Sequence, residues 1–152
     1  MNAVTEREAV MAEALALARE AAAHGEIPVG CVITDGSGAV IAAGRNRREE
    51  AGDATAHAEV EAIRAACAAR GGWRLDDCTL YVTLEPCPMC AGAILQSRIG
   101  TIVYGAREEK SGSLGSVIDL FAENYGFHPR VYGGVRAADC AALLREFFRE
   151  KR

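Results

Sequence analysis

The stretch CTLYVTLEPCPMCAGAILQS constrains the fold more than any other part of the chain. Its first part, residues 78–84, is a β-prone run, and residues 88–97 form an apolar segment rich in small side chains. Pro88 suits the first turn of a helix, where its missing N–H is not needed. Cys87 and Cys90 therefore lie where a predicted strand passes into a helix, three positions apart and on one helical face.

The remaining segments extend this alternation of strands and helices. A capping-box pattern from Thr5 to Glu8 predicts a first helix that Gly25 ends. A second helix is expected from His57 to Arg70, after a polar loop at residues 44–56. Its predicted buried face consists of Val60, Ile63 and Cys67. Strands are expected at residues 28–34, 39–43, 78–84, 100–106 and 130–132, and an amphipathic helix closes the chain. The order predicts one α/β domain over residues 1–152, with a mixed sheet.

Six cysteines in 152 residues could suggest disulfides. However, the N-terminal segment carries acidic residues through its apolar stretch, unlike a secretory signal, and no apolar run reaches the length of a membrane span. We therefore expect a cytoplasmic protein with no membrane partner, in which cysteines bind metal or take part in catalysis. The net charge of −4 argues mildly against a large nucleic-acid surface but leaves room for a local one.

The cysteine pair alone leaves a thioredoxin-like redox pair, a structural zinc site and a catalytic zinc site open. The segment TAHAEV favours the last, because His57 also begins a predicted helix and could join Cys87 and Cys90 around one ion. Three protein ligands leave a fourth position for water, whose pKa zinc lowers to about 7. Glu59 is placed to move protons beside the metal. A fourth protein ligand would restore the structural interpretation, and the candidates are His24, His128 and the other cysteines.

The segment around His57 and the segment around the cysteine pair together form one sequence signature. The order H-x-E followed by P-C-x-x-C is typical of zinc nucleobase deaminases, and here it reads HAE at 57–59 and PCPMC at 86–90. Further segments are IPVG at 27–30, GRNR at 44–47, YGAREEKSGSLGS at 104–116 and DCAALLREFF at 139–148. With them the chain resembles the bacterial tRNA-specific adenosine deaminases of the cytidine deaminase superfamily. The resemblance implies a three-layer α/β/α fold with a central mixed five-stranded sheet.

The resemblance also implies a reaction. One zinc per subunit would be held by His57, Cys87 and Cys90, and hydroxide would attack adenine C6 at the wobble position of a tRNA anticodon loop. Glu59 would pass protons to the ring nitrogen and to the departing ammonia, leaving inosine. The implied substrate-binding residues are Asn46 and Ala58, although Asn46 could equally be a turn residue. Family members commonly act as homodimers.

Basic and aromatic side chains are the candidates for contact with the anticodon stem-loop. They are Arg45, Arg47, Arg107, Lys110, Phe147, Phe148 and Arg149, and Arg145, Lys151 and Arg152 also decorate the last helix. Acidic residues are interleaved with them, so a mixed, solvated surface is the alternative. The phenylalanines could stack on bases, but their helical spacing with leucines fits core packing as well, and we expect one of the two in the core.

Two other functions remain open at this stage. A small-molecule deaminase acting on guanine, cytosine or a free nucleoside would share the zinc residues without needing the basic loop and last helix. A catalytically idle, zinc-bearing RNA-binding module is the other. Glu59 argues against it, since a structural site has no use for an unliganded carboxylate beside the metal.

Overall fold

A computed structural model describes residues 2–151 of the chain. Its helices are α1 (Ala3–Ala23), α2 (Arg48–Ala51), α3 (Ala58–Arg70), α4 (Pro88–Ser97) and α5 (Ala137–Glu150), and a 3-10 turn spans Leu120–Ala122. Its strands are β1 (Gly30–Thr34), β2 (Val40–Arg45), β3 (Thr79–Leu84), β4 (Thr101–Ala106) and β5 (Arg130–Tyr132). The predicted alternation of strands and helices is confirmed.

The described strands form one five-stranded sheet in the order β2-β1-β3-β4-β5. Strand β1 is antiparallel to both of its neighbours, whereas β3, β4 and β5 run parallel to one another. The predicted mixed sheet is therefore confirmed. Because β3 and β4 are parallel, the chain leaves both strands at the same edge of the sheet.

Helices cover both faces of the sheet, which gives the expected three layers. On one face α3 and α4 pack against inward side chains such as Ile33, Leu80 and Ile102. On the other face α1 and α5 pack against Val32 and Tyr81, among others. Central strands covered on both sides read as nearly continuous apolar runs, which explains the sequence of β1 and β3.

Helix α3 lies unusually close to the sheet because Gly44 of β2 has no side chain. A Cβ atom at Gly44 would lie 2.6 Å from the carbonyl oxygen of Ala58 and 2.8 Å from the backbone nitrogen of Ala62. The inner face of α3 is correspondingly built from small side chains. Gly30 of β1 plays the same part beneath α1, where its Cβ would collide with the backbone of Ala14. These two contacts set the distance between each helix and the sheet. Helix α3 also carries part of the candidate site.

Three local predictions were wrong. Helix α1 begins before Thr5, because the side chain of Asn2 accepts the N–H of Thr5 at 2.9 Å and caps the helix. Residues 44–56, predicted as a loop, contain the end of β2 and the short helix α2. The buried residues of α3 are Ala58, Glu59, Ala62 and Ala66, while the predicted Val60, Ile63 and Cys67 are only partly buried.

No helix between residues 2 and 151 combines the length and the apolar character that a membrane span needs.

Candidate active site

Two helix N-termini on the same face of the sheet present the predicted metal ligands. His57 is the N-cap residue of α3 and Cys87 is the N-cap residue of α4, each with extended backbone and without a side-chain capping hydrogen bond. The Nδ1 atom of His57 lies 3.7 Å from the Sγ atom of Cys87 and 3.5 Å from that of Cys90. The three candidate ligand atoms lie within 4.8 Å of one another.

These distances fit a zinc ion. Tetrahedral bonds of about 2.3 Å to sulfur and about 2.1 Å to nitrogen separate the two ligand atoms by about 3.6 Å, which lies between the two observed distances. Within residues 2–151 no other His, Cys, Asp or Glu side chain joins the group. His24 and His128, considered above as a fourth ligand, do not belong to it. Two thiols and one imidazole with an open fourth position match a catalytic zinc site better than a structural one.

The protein favours a thiolate at this site. The hydrogen bond from Cys90, together with that from His57, lowers the pKa of Cys87 to about 4. The same hydrogen bond and burial raise the pKa of Cys90, which therefore keeps its proton while Cys87 is charged. The hydrogen bond to Cys87 also raises the pKa of His57. Thiolate is the form that binds metal, and unpaired N–H groups at a helix start support it further.

Glu59 lies in the first turn of α3, beside the candidate ligands but outside their group. Its side chain is almost fully buried, and burial, with a smaller contribution from the charge of Cys87, raises the pKa of Glu59 to about 7. A carboxyl group whose pKa lies near neutrality can both accept and return a proton. The arrangement thus places a proton-transfer group next to a metal site.

A pocket with a volume of about 180 Å³ opens onto these residues. Its polar lining consists of Asn46, Arg48, His57, Glu59, Glu85, Cys87, Glu108 and Ser111, and its apolar lining consists of Ile27, Val29, Ala58 and Leu84. A small cavity in which polar groups converge beside an apolar wall is typical of a site for a small organic ligand.

Asn46 and Ala58, the predicted substrate-binding residues, both line this pocket. Asn46 is buried, its amide nitrogen donates to the carbonyl of Ile27 at 3.2 Å, and its amide oxygen accepts the N–H of Arg48 at 3.1 Å. Both hydrogen bonds are to the backbone, and the side chain of Asn46 also borders the pocket. Its role in substrate binding stays a prediction.

Two buried carboxylates hold the loops around the pocket, and neither was predicted from the sequence. Glu26 accepts the N–H groups of Glu49 and Glu50 at 3.0 and 2.6 Å, and so holds the start of α2. Glu85 accepts hydrogen bonds from the loop that follows β4. Burial raises the pKa of Glu85, but its hydrogen bonds, led by that of Ser116, more than offset this and leave the pKa below its ordinary value. A charged residue directly after an apolar strand was the available signal for Glu85.

The predicted RNA contacts divide into two groups. Arg45 and Arg47 form ion pairs with Glu50 at 2.9 and 3.2 Å, and the side chain of Arg45 is only 12% exposed. The positive charges of these two arginines are therefore largely neutralised by an acidic side chain of the protein itself. Arg107 donates to the hydroxyl of Ser116 but remains exposed to solvent.

The second group meets at an open groove of about 860 Å³. It is lined by Lys110, Leu144, Arg145, Phe148, Arg149 and Lys151. Phe147 is buried, whereas Phe148 is 46% exposed and meets Phe147 edge to face. The expectation that one of the two phenylalanines lies in the core is confirmed. Arg152 lies outside the described residues.

Comparison with known proteins gives two kinds of match. Residues 4–106 match the family model of the cytidine and deoxycytidylate deaminase zinc-binding region. A solved structure from work on A-to-I editing by tRNA:A34 deaminases superposes with a TM-score of 0.83 and 45% identity, over 86% of this chain and 95% of that one.

Curated relatives agree with these matches. The tRNA-specific adenosine deaminase of Agrobacterium fabrum is 46% identical over 150 residues, which is 98% of either chain. The tRNA(Ile)-lysidine synthase of Deinococcus radiodurans is 56% identical over 144 residues, which is 95% of this chain but 25% of that protein. The chain thus spans about a quarter of the length of this last relative.

Proposed function

We propose that this chain, which belongs to the cytidine and deoxycytidylate deaminase family, hydrolyses adenosine to inosine at the wobble position of a tRNA anticodon loop. The observation that carries the proposal is the juxtaposition of His57, Cys87 and Cys90 with the unliganded carboxylate of Glu59 at one pocket. His57, Cys87 and Cys90 would hold the zinc, and bound zinc supplies a water of lowered pKa as the nucleophile.

Glu59 would carry the protons of the reaction. It accepts a proton from the attacking water as oxygen bonds to C6 of adenine, and it delivers that proton to the ring nitrogen N1. A second proton, from the new C6 hydroxyl, passes to the amine. The C6–N bond then breaks, ammonia leaves and inosine remains. Burial raises the pKa of Glu59 towards neutrality, so its side chain can both accept and return a proton.

The substrate assignment rests on the relatives and on the surface. Proteins named tRNA-specific adenosine deaminase match nearly the whole chain. The groove lined by Lys110, Phe148 and Arg149 offers cationic side chains for phosphates and an exposed aromatic ring for base stacking. Such a surface suits a single-stranded loop from which one base is swung into the pocket.

The proposal also covers zinc stoichiometry, oligomeric state, location and domain organisation. We propose one zinc per subunit, a homodimer, a cytoplasmic location and a single deaminase-type zinc-binding domain over residues 1–152. The family match to a zinc-binding region supports the zinc, and the homodimer and the cytoplasmic location follow from the resemblance to the tRNA-specific adenosine deaminases.

A substrate panel tests the proposal. The purified zinc protein is offered an adenosine-bearing anticodon stem-loop, free adenosine, cytidine, cytosine and guanine, and both ammonia and the deaminated product are measured. We expect turnover on the stem-loop alone. Turnover of a free base or nucleoside without turnover of RNA would favour the small-molecule deaminase instead.

A further inference from the structure

The loop at residues 107–116 forms one wall of the pocket through Glu108 and Ser111. We propose that Glu85 is the positioning residue for this loop: its buried carboxylate fixes the wall against which the substrate binds. The inference deepens the proposed function, and its catalytic consequence rests on that function.

Four hydrogen bonds from the loop converge on this one carboxylate. The Oε1 atom of Glu85 accepts the N–H of Glu108 at 3.1 Å and the hydroxyl of Ser116. The Oε2 atom accepts the N–H of Leu114 at 2.9 Å and the N–H of Ser116 at 3.1 Å. Both oxygens are thus occupied by the loop, and neither is free to exchange protons with a substrate. The role is therefore positioning.

Burial makes the carboxylate and the loop depend on each other. Glu85 is 2% exposed, and no basic side chain among residues 2–151 lies within ion-pair distance of it. A buried carboxylate without an ionic partner is tolerated only when hydrogen bonds compensate for its lost hydration. Here the donors come from residues 108, 114 and 116, so the compensation exists only while the loop keeps its conformation.

The loop wraps tightly around the carboxylate. A Cβ atom at Gly112 would lie 2.5 Å from the carboxyl carbon of Glu85 and 2.6 Å from its Oε1 atom. The N–H of Gly112 also donates to the carbonyl of Glu108 at 2.8 Å, which closes the loop on itself. Only glycine leaves room for this path.

Glu85 also connects the loop to the candidate metal ligands. Its N–H donates to the carbonyl of Ala106 at 2.8 Å, at the end of β4, and the N–H of Ser113 donates to the carbonyl of Pro86 at 2.9 Å. Cys87 follows directly. The segment that carries Cys87 therefore also holds the loop at residues 107–116 through hydrogen bonds.

Glu85→Gln tests the proposal without changing the size of the side chain. The amide places an NH₂ group against loop donors, so either the N–H of Glu108 or the N–H groups of Leu114 and Ser116 lose their acceptor. We expect amide hydrogen exchange at residues 108, 114 and 116 to rise by about tenfold or more, with zinc content unchanged. On the adenosine stem-loop, KM should rise about tenfold while kcat changes less than about threefold, since the loop binds substrate without moving protons.

Two controls isolate the effect. Glu26→Gln disturbs the buried carboxylate that holds the start of α2 and should raise exchange at residues 49 and 50 but not at 108, 114 or 116. Glu13→Gln, on the exposed face of α1, should change neither exchange nor kinetics. If Glu85→Gln fails to fold, Ser116→Ala removes one of the four donors and should give a smaller rise at the same amides.

Unchanged exchange at residues 108 and 114 in both loop variants would overturn the proposal, and so would raised exchange with an unaltered KM. If the wild-type chain were inactive on the stem-loop, the proposed function would fail. The exchange comparison would still decide whether Glu85 holds the loop.

Discussion

Gly44→Ala should weaken both the fold and the candidate zinc site, because it forces α3 away from the sheet. The new Cβ atom would lie 2.6 Å from the carbonyl oxygen of Ala58 and 2.8 Å from the nitrogen of Ala62, whereas ordinary van der Waals contact begins near 3.4 Å. Both partners are backbone atoms that no side-chain rotation can move. The helix must therefore retreat by about 0.6 to 0.8 Å.

The magnitude follows from this displacement. Overpacking costs about 1–3 kcal/mol. A gap of this size also removes about a quarter to a half of the dispersion energy of each contact that α3 makes with the sheet. Replacing a strand glycine returns up to about 1 kcal/mol of unfolded-state entropy. We expect a net loss of about 2 kcal/mol in the free energy of unfolding. Because metal–ligand distances tolerate only about 0.2 Å, the shift of His57 should also weaken zinc binding at least about tenfold.

Gly30→Ala is the matched control. Its Cβ atom would collide with the backbone of Ala14, so α1 must move, but α1 carries no candidate ligand. Urea unfolding should show that both variants are destabilised, while competition with a chelator under native conditions should show weakened zinc binding in Gly44→Ala alone. A loss of less than about 0.5 kcal/mol in Gly44→Ala, or equal weakening of zinc binding in both variants, would refute the reasoning.

Three further predictions concern the ligands, the pH dependence and the groove. Cys87→Ser should lose bound zinc, and full zinc content by elemental analysis would remove Cys87 from the ligand set. Hydrogen bonds from Arg70 and from the N–H of Gly36 lower the pKa of Asp77 to about 2, so its carboxylate stabilises the fold above about pH 4 and loses this effect as pH falls towards 2. The stability difference between wild type and Asp77→Asn should therefore shrink in acid, and a constant difference in urea unfolding would contradict it. Arg149→Glu should weaken binding of the anticodon stem-loop more at low salt than at high salt; fluorescence anisotropy without a salt-dependent difference would exclude Arg149 from the interface.

The elements were predictable where the sequence pattern was local. The β-prone run at residues 78–84, Pro88 and the DGSG turn marked β3, α4 and the β1–β2 hairpin, and the structure agrees. The proximity of His57 to Cys87 and Cys90 was also predictable. His57 and the cysteine pair each lie at the start of a predicted helix. Helix α3 packs on β2 and β1, α4 follows the neighbouring strand β3, and α3 packs beside α4, which brings the three side chains together.

Features that depend on tertiary packing were missed. The inner face of α3 was predicted from its largest apolar residues. Gly44 brings the helix so near that Ala58 and Ala62 face the strand, and Val60 and Ile63 are left partly buried. The burial of Glu85 was not predicted, because buried positions were inferred from the spacing of apolar residues and a carboxylate is not one of them. Its partners lie 23 to 31 positions away along the chain. Its position directly after an apolar strand marks Glu85 as unusual, but no local pattern indicates its partners.

Zinc binding and proton transfer are separable at this site, because Glu59 is not among the candidate ligands. Zinc per chain and the rate of inosine formation on the anticodon stem-loop are measured for the wild type and for Glu59→Ala. Our account predicts full zinc content in both proteins and a loss of turnover of about a hundredfold or more in the variant, because only the proton carrier is removed. Near-normal turnover in a zinc-loaded Glu59→Ala protein would contradict it.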